Sequence, residues 1–396
     1  MLNGVAKGDL KNSKTIAKYM DMCLKCNACK DFCPSGIDAA KIFLSAKADY
    51  FEKSKFSFVT KFFQSQQVFN AILSCIKLAS TIYRVLKIDK LAQKFYPILK
   101  KFGWLGKKII LANEFVLSST ELKKAPQIKI PQSNSTSTKK VKVIYFKGCV
   151  NESINPKVKT AVENILEKLN IEIISIDFQC CGIPFLSSGN ANQFKKQAEF
   201  NISQIPKDFD FFLTDCASCQ DAFLTYKNYL DDENLLNKLG KINEKSINVV
   251  EFLSTFVHSI EFEKNTSITF HKPCHLKDTK FVFDIISKMK NVNYVQMNDY
   301  DKCCGFAGEF AIKNAQLSTK LSSQKARNAI KTNADYILST CPSCTLGITQ
   351  GLIEINEQKP VLNLIEFISL AKTIELKYEI LNSKENLSQQ NELVQI

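Results

Sequence analysis

The chain has 396 residues, a net charge of +14, and hydrophobic and charged fractions of 45% and 23%. This length and composition predict a globular protein of two or three domains with substantial cores. The sequence shows no secretory signal and no run of 18 uncharged apolar residues, so neither export nor a transmembrane helix is expected. It also lacks phosphate-loop and dinucleotide fingerprints and contains only three His, which disfavours nucleotide- or flavin-binding enzymes and His-based hydrolases.

The first predicted element is the cysteine-rich stretch MCLKCNACKDFCPSG, residues 22–36. Its spacing, C-x2-C-x2-C-x3-C-P, is typical of bacterial [4Fe-4S] ferredoxins, and soft thiolates suit iron–sulfur clusters. Structural zinc usually pairs two C-x2-C units across a longer gap, which is absent here. We therefore predict a [4Fe-4S] cluster within a small all-helical ferredoxin-like module, residues 1–53. Its expected ligands, called the N-terminal run below, are Cys23, Cys26, Cys29 and Cys33.

One cysteine of the N-terminal run is left over. In two-cluster ferredoxins the fourth Cys of each run binds the other cluster. Either Cys33 folds back onto its own cluster, another cysteine such as Cys75 completes the site, or a second run is missing.

Residues 54–121 form a basic region with apolar residues at helical spacing. Between residues 53 and 124 stand fourteen Lys/Arg and three Asp/Glu, a net charge of +11. Two interpretations stay open: a helical spacer with solvated lysines, or a helix lying on an anionic membrane surface. Nucleic-acid binding is not expected, because no nucleic-acid module surrounds these residues. Prolines and a Ser/Thr/Asn-rich stretch predict a linker at 122–140.

After the linker the sequence repeats itself, in residues 141–259 and 266–375, before a tail at 376–396. Strand-like and helix-like stretches alternate in both copies, and corresponding cysteines are offset by 123 to 125 residues. Two similar α/β domains with largely parallel sheets are therefore predicted. The expected fold class is α+β / α/β: the helical N-terminal module and spacer, followed by two Cys-Cys-Gly domains.

Each copy carries five cysteines, which follow predicted strand ends and can therefore converge on one spot. Five sulfurs exceed what a cubane cluster or a zinc ion needs, which indicates either an unusual cluster or a site with a spare thiol for redox chemistry. Gly182 and Gly305 follow the Cys-Cys pairs and supply the backbone freedom for a tight turn. The expected ligands are Cys149, Cys180, Cys181, Cys216 and Cys219 in the first set, and Cys274, Cys303, Cys304, Cys341 and Cys344 in the second set.

Three further residues lie near the second set in the sequence. His271 and His275 flank Cys274; a ligand or proton-transfer role is open, but a polar strand end beside the site is favoured. Lys302 precedes Cys303 and could tune a cluster through its charge.

The segments CLKCNACKDFCPSG, FHKPCH and DKCCGFAGEF resemble the iron–sulfur subunit of glycolate oxidase. They are also similar to the C subunit of anaerobic glycerol-3-phosphate dehydrogenase, to lactate-utilisation proteins, and to the B subunit of heterodisulfide reductase. The resemblance implies further [4Fe-4S] clusters in both Cys-Cys-Gly domains, noncubane as in relatives with heterodisulfide chemistry, although some relatives use zinc there. This chain differs from those families at its start, because the glycolate and glycerol-phosphate subunits usually carry two ferredoxin runs and this sequence has one. Met1 is then internal to a longer protein, or the first cluster has been lost.

The resemblance also implies a role and partners. A separate FAD-containing dehydrogenase subunit would oxidise glycolate or lactate, and this chain would pass the electrons toward membrane quinone. A cytoplasmic protein, peripheral on the inner face of the membrane, is the expected location. Glycerol-3-phosphate oxidation, a thiol–disulfide reductase and a zinc-based assembly protein remain the alternatives.

Overall fold

The computed structural model describes residues 14–53, 94–99, 109–111, 126–129, 140–153 and 155–377, and also 4, 7–9, 67, 71, 74–75, 78, 82, 86, 88, 107 and 114. Most of the predicted basic region, the linker and the C-terminal tail therefore lies outside the described residues.

The described helices and strands are numbered separately here, each in chain order. The helices are α1 (Lys14–Met20), α2 (Ala28–Asp31), α3 (Ala39–Lys53), α4 (Tyr96–Leu99), α5 (Cys149–Ser153), α6 (Pro156–Lys168), α7 (Ile183–Ser188), α8 (Ala191–Gln204), α9 (Ala217–Thr225), α10 (Glu233–Glu244), α11 (Val249–Phe256), α12 (Lys280–Ser287), α13 (Gly308–Lys313), α14 (Ala315–Ile330), α15 (Pro342–Glu354) and α16 (Leu364–Ile368). The strands are β1 (Gln127–Lys129), β2 (Lys142–Phe146), β3 (Glu172–Ile174), β4 (Phe211–Thr214), β5 (Ser246–Asn248), β6 (Val257–Phe270), β7 (Met289–Tyr294), β8 (Tyr336–Ser339), β9 (Val361–Asn363) and β10 (Thr373–Leu376).

Two sheets carry the predicted repeat. The first has the order β3-β2-β4-β5 and is parallel throughout. The second contains the equivalent parallel order β7-β6-β8-β9. This architecture confirms the prediction of mixed α/β units with parallel sheets. The register is also equivalent, because Tyr145 pairs with Leu213 as Phe270 pairs with Leu338.

The second sheet is extended on one side. β6 is fourteen residues long and crosses the stretch between the two predicted copies. Its first half pairs with β10 in antiparallel fashion, and β10 in turn pairs with β1 in parallel. From the sequence, only the last four residues of β6, SITF at the start of the second copy, were predicted as a strand.

Local sequence explains why these elements form. β2, KVIYF, is buried along almost its whole length, as a strand covered on both faces must be. In α6, Pro156 occupies the first helical turn, and the buried Val158, Val162 and Ile165 recur at helical spacing. The buried Asn248 and Asn363 cap α11 and α16, where each side chain accepts a hydrogen bond from the backbone N–H two residues on.

The described residues of the N-terminal segment form three helices that dock onto the repeated domains. The Lys47 ammonium lies 2.9 Å from an Asp21 carboxylate oxygen and 3.4 Å from one of Glu309, and it donates to the Ser187 carbonyl at 2.7 Å. Lys313 pairs with Asp21 at 3.0 Å. These contacts hold the cysteine-bearing loop of the N-terminal run against both domains.

Candidate metal centre

The ten repeat cysteines all follow strand ends, as the sequence predicted. In the first domain, Cys149 begins α5 just after β2, the pair Cys180 and Cys181 precedes α7, and Cys216 lies at the N-cap of α9. The second domain repeats the arrangement, with Cys341 at the N-cap of α15. Parallel strands direct their carboxyl ends to one edge of a sheet, so each set gathers there.

The Cys-Cys pairs sit on tight turns made by the following glycine. Gly182 has φ +82° and Gly305 has φ +78°, in the region that side chains other than glycine rarely adopt. Each glycine N–H points back at the first cysteine of its pair, at 3.5 Å from the Cys180 sulfur and 3.4 Å from the Cys303 sulfur. The turn thus lets both sulfurs of a pair reach the same cavity.

The two sets do not form separate pockets. All ten repeat cysteines line one largely apolar cavity of about 120 Å³, here called the cysteine cavity. The side chains also form an unbroken sequence of thiol neighbours, here called the thiol series. Its order is Cys149, Cys180, Cys181, Cys219, Cys216, Cys341, Cys344, Cys304, Cys303 and Cys274. The two domains therefore meet at the contact between Cys216 and Cys341.

The N-terminal run joins this series. Cys26 hydrogen-bonds with Cys303, and this contact is the first cause of a raised pKa at Cys26. Burial raises the pKa of Cys23, and the charges of Cys26 and Cys29 add to that effect. Cys29 is exposed, whereas Cys23, Cys26 and Cys33 are half-buried. The structure thus brings the run to the second set, a contact that cysteine spacing alone did not predict.

Cys75, which the sequence offered as a fourth ligand for the N-terminal run, lies next to a residue that lines a groove of the first set. Cys75 is exposed, and the adjacent Ser74 lines a polar groove beside Cys149 and Cys180. The Cys149 and Cys180 sulfurs lie 3.5 Å apart at that groove, which has a volume of about 410 Å³.

The pKa values of the cavity thiols are shifted by neighbouring thiols and by burial. Hydrogen bonds from Cys149 and Cys181, and then burial, raise the pKa of Cys180. The pKa of Cys341 is lowered, first by its contact with Cys216. So many buried sulfurs can ionise together only if positive charge compensates them. Iron or another soft cation supplies that charge, so the donor set fits an iron–sulfur group.

Lys25 is a feature that the sequence-based prediction missed. It stands between Cys23 and Cys26, is 7% exposed, and lines the cysteine cavity. Its backbone has φ +54°, and its ammonium lies 3.6 Å from an Asp221 carboxylate oxygen. The signal available in the sequence was a lysine inside the C-x2-C spacing itself. Lys302, which the sequence did single out, has a side chain 72% exposed and pairs with Asp299 at 3.0 Å.

The two histidines of the second domain have different surroundings. His275 donates from Nε2 to the Lys25 carbonyl at 3.0 Å, and its Nδ1 lies 3.0 Å from the Ser218 hydroxyl. His271 is fully buried, and burial lowers its pKa to about 3. A ring nitrogen of His271 and the sulfurs of Cys304 and Cys344 all lie within 4.8 Å of one another. His271 is therefore a buried residue at the end of β6, beside the sulfurs of Cys304 and Cys344.

Comparison with known proteins agrees with the repeat. A family model described as "CCG: Cysteine-rich domain" matches residues 143–223 and 268–349. The chain therefore contains two cysteine-rich domains, whose described cysteines cluster in one cavity suited to binding a metal group.

Two curated relatives match the chain over nearly their whole length. Lactate utilization protein A of Bacillus pumilus is 25% identical over 237 residues, which cover 58% of this chain and 99% of that protein. Lactate utilization protein A 1 of Bacillus cereus is 24% identical over the same shares. Among solved structures, a hypothetical protein from Helicobacter pylori has a TM-score of 0.45 and 10% identity, over 67% of this chain and 58% of that one. That structural likeness is too weak to define a shared fold.

Within the described part of the chain, no helix is long and apolar enough to cross a bilayer.

Proposed function

We propose that this chain is the iron–sulfur electron-transfer component of a system that oxidises lactate or a related 2-hydroxy acid. The substrate and the flavin would sit on a partner dehydrogenase chain. The relatives named lactate utilization protein A support the lactate assignment. The two cysteine-rich domains support iron–sulfur chemistry.

The observation that carries the proposal is the thiol series. It runs without a gap from the first set through Cys216 and Cys341 to the second set, and Cys26 extends it to the N-terminal run. A protein that used its cysteines only to hold structural zinc would have no need for contact between sets. Close spacing of the redox groups is what an electron relay requires, and neighbouring thiols would place their clusters close together.

The chain's own residues would prepare the site in three ways. The cysteines of the three sets would hold [4Fe-4S] clusters, whose iron supplies the one-electron chemistry. Apolar walls formed by Ile183, Pro273 and Phe306 would exclude water. The buried ammonium of Lys25 would offset the negative charge of the thiolates.

The points where electrons would enter and leave the chain are inferred from which parts of the cysteine sites are open to solvent. Electrons would pass at the N-terminal run, where Cys29 is exposed, and at the polar groove beside Cys149 and Cys180. One would face the flavoprotein and the other an acceptor such as membrane quinone. A location at the cytoplasmic face of the membrane is proposed with that acceptor.

A second candidate is a thiol–disulfide reductase. Each set has five cysteines, one more than a cubane cluster needs, and the Cys149 and Cys180 sulfurs lie 3.5 Å apart beside an open groove. This activity would need no flavoprotein partner.

The test is deletion of the gene in the native host. Extracts of the mutant should lose lactate-dependent reduction of a soluble quinone analogue and keep the NADH-dependent reaction. Complementation with Cys341→Ser should fail, whereas Lys302→Met, which changes an exposed side chain outside the thiol series, should restore the rate. Loss with glycolate or glycerol 3-phosphate instead of lactate would reassign the substrate. Unchanged rates with all three substrates would refute the proposal.

A further inference from the structure

At one of the positions where the two Cys-Cys-Gly domains differ, the second domain has a buried histidine and the first a phenylalanine. Tyr145 pairs with Leu213 in the first sheet as Phe270 pairs with Leu338 in the second, so the next residues, Phe146 and His271, are structurally equivalent. The duplicated sites therefore present a phenyl ring in one domain and an imidazole in the other.

The phenyl ring has an evident packing role. Phe146 lies in an aromatic group in which ring centroids are 4.9 Å from Phe178 and 5.1 Å from Phe223. It is 1% exposed and has no polar atom to satisfy. A buried imidazole in the same place carries a cost that a phenyl ring does not, because both ring nitrogens need partners.

One nitrogen of His271 is accounted for. Nδ1 lies 3.0 Å from the carbonyl oxygen of Tyr300. A carbonyl can only accept, so Nδ1 carries the hydrogen and Nε2 carries the lone pair. Among the residues that the structure describes, Nε2 has no hydrogen-bond partner.

The imidazole of His271 lies beside sulfur. A ring nitrogen of His271 and the sulfurs of Cys304 and Cys344 lie within 4.8 Å of one another, and all three residues are buried. If these cysteines bind metal they are thiolates and have no hydrogen to offer, so neither sulfur can satisfy the lone pair on Nε2. Bonding to the metal itself resolves that conflict. The backbone hydrogen bond at the other nitrogen is the usual support for a histidine ligand.

We propose that His271 is a nitrogen ligand, through Nε2, of the metal group in the second domain. The second site is then a mixed cysteine–histidine site, whereas the first holds cysteine only. The inference deepens the iron–sulfur function proposed above, but its geometry applies to an iron of a cluster or to zinc, since imidazole suits both. Where His271 takes the place of one of the five thiolates on an iron, the neutral imidazole raises the reduction potential, and the second site becomes the better electron acceptor.

The test is nitrogen coupling in pulsed EPR of the whole chain, purified anaerobically and reduced. Samples are grown with natural or ¹⁵N-labelled histidine. A strongly coupled nitrogen that changes with the label is the expected result. Labelled wild-type protein needs no substitution to give this answer, so a variant that fails to fold cannot obscure it. If metal analysis finds zinc in the second site, the same measurement is made after Co²⁺ substitution.

Two variants assign the signal. His271→Phe, which installs the residue of the first domain, should abolish the coupling and lower one midpoint potential by at least 59 mV, a tenfold change in the one-electron equilibrium. His275→Gln is the matched control and should keep the coupling, because both ring nitrogens of His275 already have hydrogen-bond contacts. Absence of a histidine coupling in wild-type protein, or its survival in His271→Phe, would overturn the inference. A chain with zinc and a histidine-coupled Co²⁺ signal would refute electron transfer but keep the ligand.

Discussion

Replacing Gly305 by alanine should disable the turn that presents the second Cys-Cys pair. Gly305 has φ +78°, and an added Cβ would lie 2.4 Å from the Cβ of Leu321, which belongs to α14. The left-handed backbone costs an L-residue roughly 1–2 kcal/mol. Overpacking against a helix adds about 1–3 kcal/mol. The free energy of unfolding should therefore fall by about 2–5 kcal/mol, with loss of the metal held by the second set.

The assay is urea unfolding of the anaerobic, reduced chain, followed by circular dichroism, together with metal analysis of the folded variant. Gly182→Ala should behave similarly, since its Cβ would lie 2.8 Å from Phe194 at φ +82°. Gly240→Ala is the control: nothing lies within 4 Å of its Cβ, and alanine in a helix interior gains about 0.5–1 kcal/mol. A Gly305→Ala protein as stable and as metal-loaded as Gly240→Ala would refute the role of the turn.

Three other predictions follow from buried charges. Lys25→Met should lower the midpoint potentials of the groups in the cysteine cavity, by about 90 mV if the charge acts across roughly 8 Å at an effective dielectric constant of about 20. In potentiometric EPR titrations, Asp221→Asn should raise the midpoint potentials, and Lys302→Met, at an exposed side chain, should leave them unchanged. If Lys25→Met and Asp221→Asn shifted the potentials in the same direction, a charge effect would be contradicted. Glu309→Gln removes the carboxylate that pairs with Lys313 at 2.7 Å and Lys47 at 3.4 Å. It should lower the free energy of unfolding by about 3 kcal/mol and speed proteolysis of the N-terminal segment. An unchanged digestion rate would count against the role of Glu309 in docking that segment. Burial raises the pKa of Glu366 above 4.5, so the folded chain keeps a proton that the unfolded chain releases. The free energy of unfolding should therefore fall as the pH rises from 4.5 toward the folded pKa. Glu366→Gln should flatten this dependence on pH in unfolding titrations, and an unchanged dependence would exclude Glu366 as its source.

The sequence predicted the duplicated α/β architecture because cysteine spacing and strand alternation carry it directly. The turn at Gly182 was likewise predicted, since two adjacent side chains reach one site only on such a turn. The contact between Cys216 and Cys341 was not predicted, because it depends on how the two sheets face each other, and no local pattern encodes that. Lys25 was missed for the same reason: its burial is produced by domains more than a hundred residues away. Lys302 drew attention through its neighbour Cys303, yet its side chain points to water.

His271 shows a different limit of sequence-based prediction. The motif HKPCH marks it, but a histidine beside a cysteine is equally compatible with a polar strand end. The 125-residue offset between Cys149 and Cys274 already pairs His271 with Phe146, and the strand register agrees, but only the hydrogen bond to Tyr300 shows that Nε2 is available.

The central claim is that the cysteine cavity and the N-terminal run hold iron–sulfur clusters. The most direct measurement is anaerobic purification followed by iron, acid-labile sulfide and zinc analysis, with EPR of the reduced protein. About twelve irons and a similar amount of sulfide per chain would match three four-iron clusters, one for each cysteine set. Zinc as the main metal, with almost no sulfide even after anaerobic reconstitution, would contradict the electron-relay account and leave a structural metal protein.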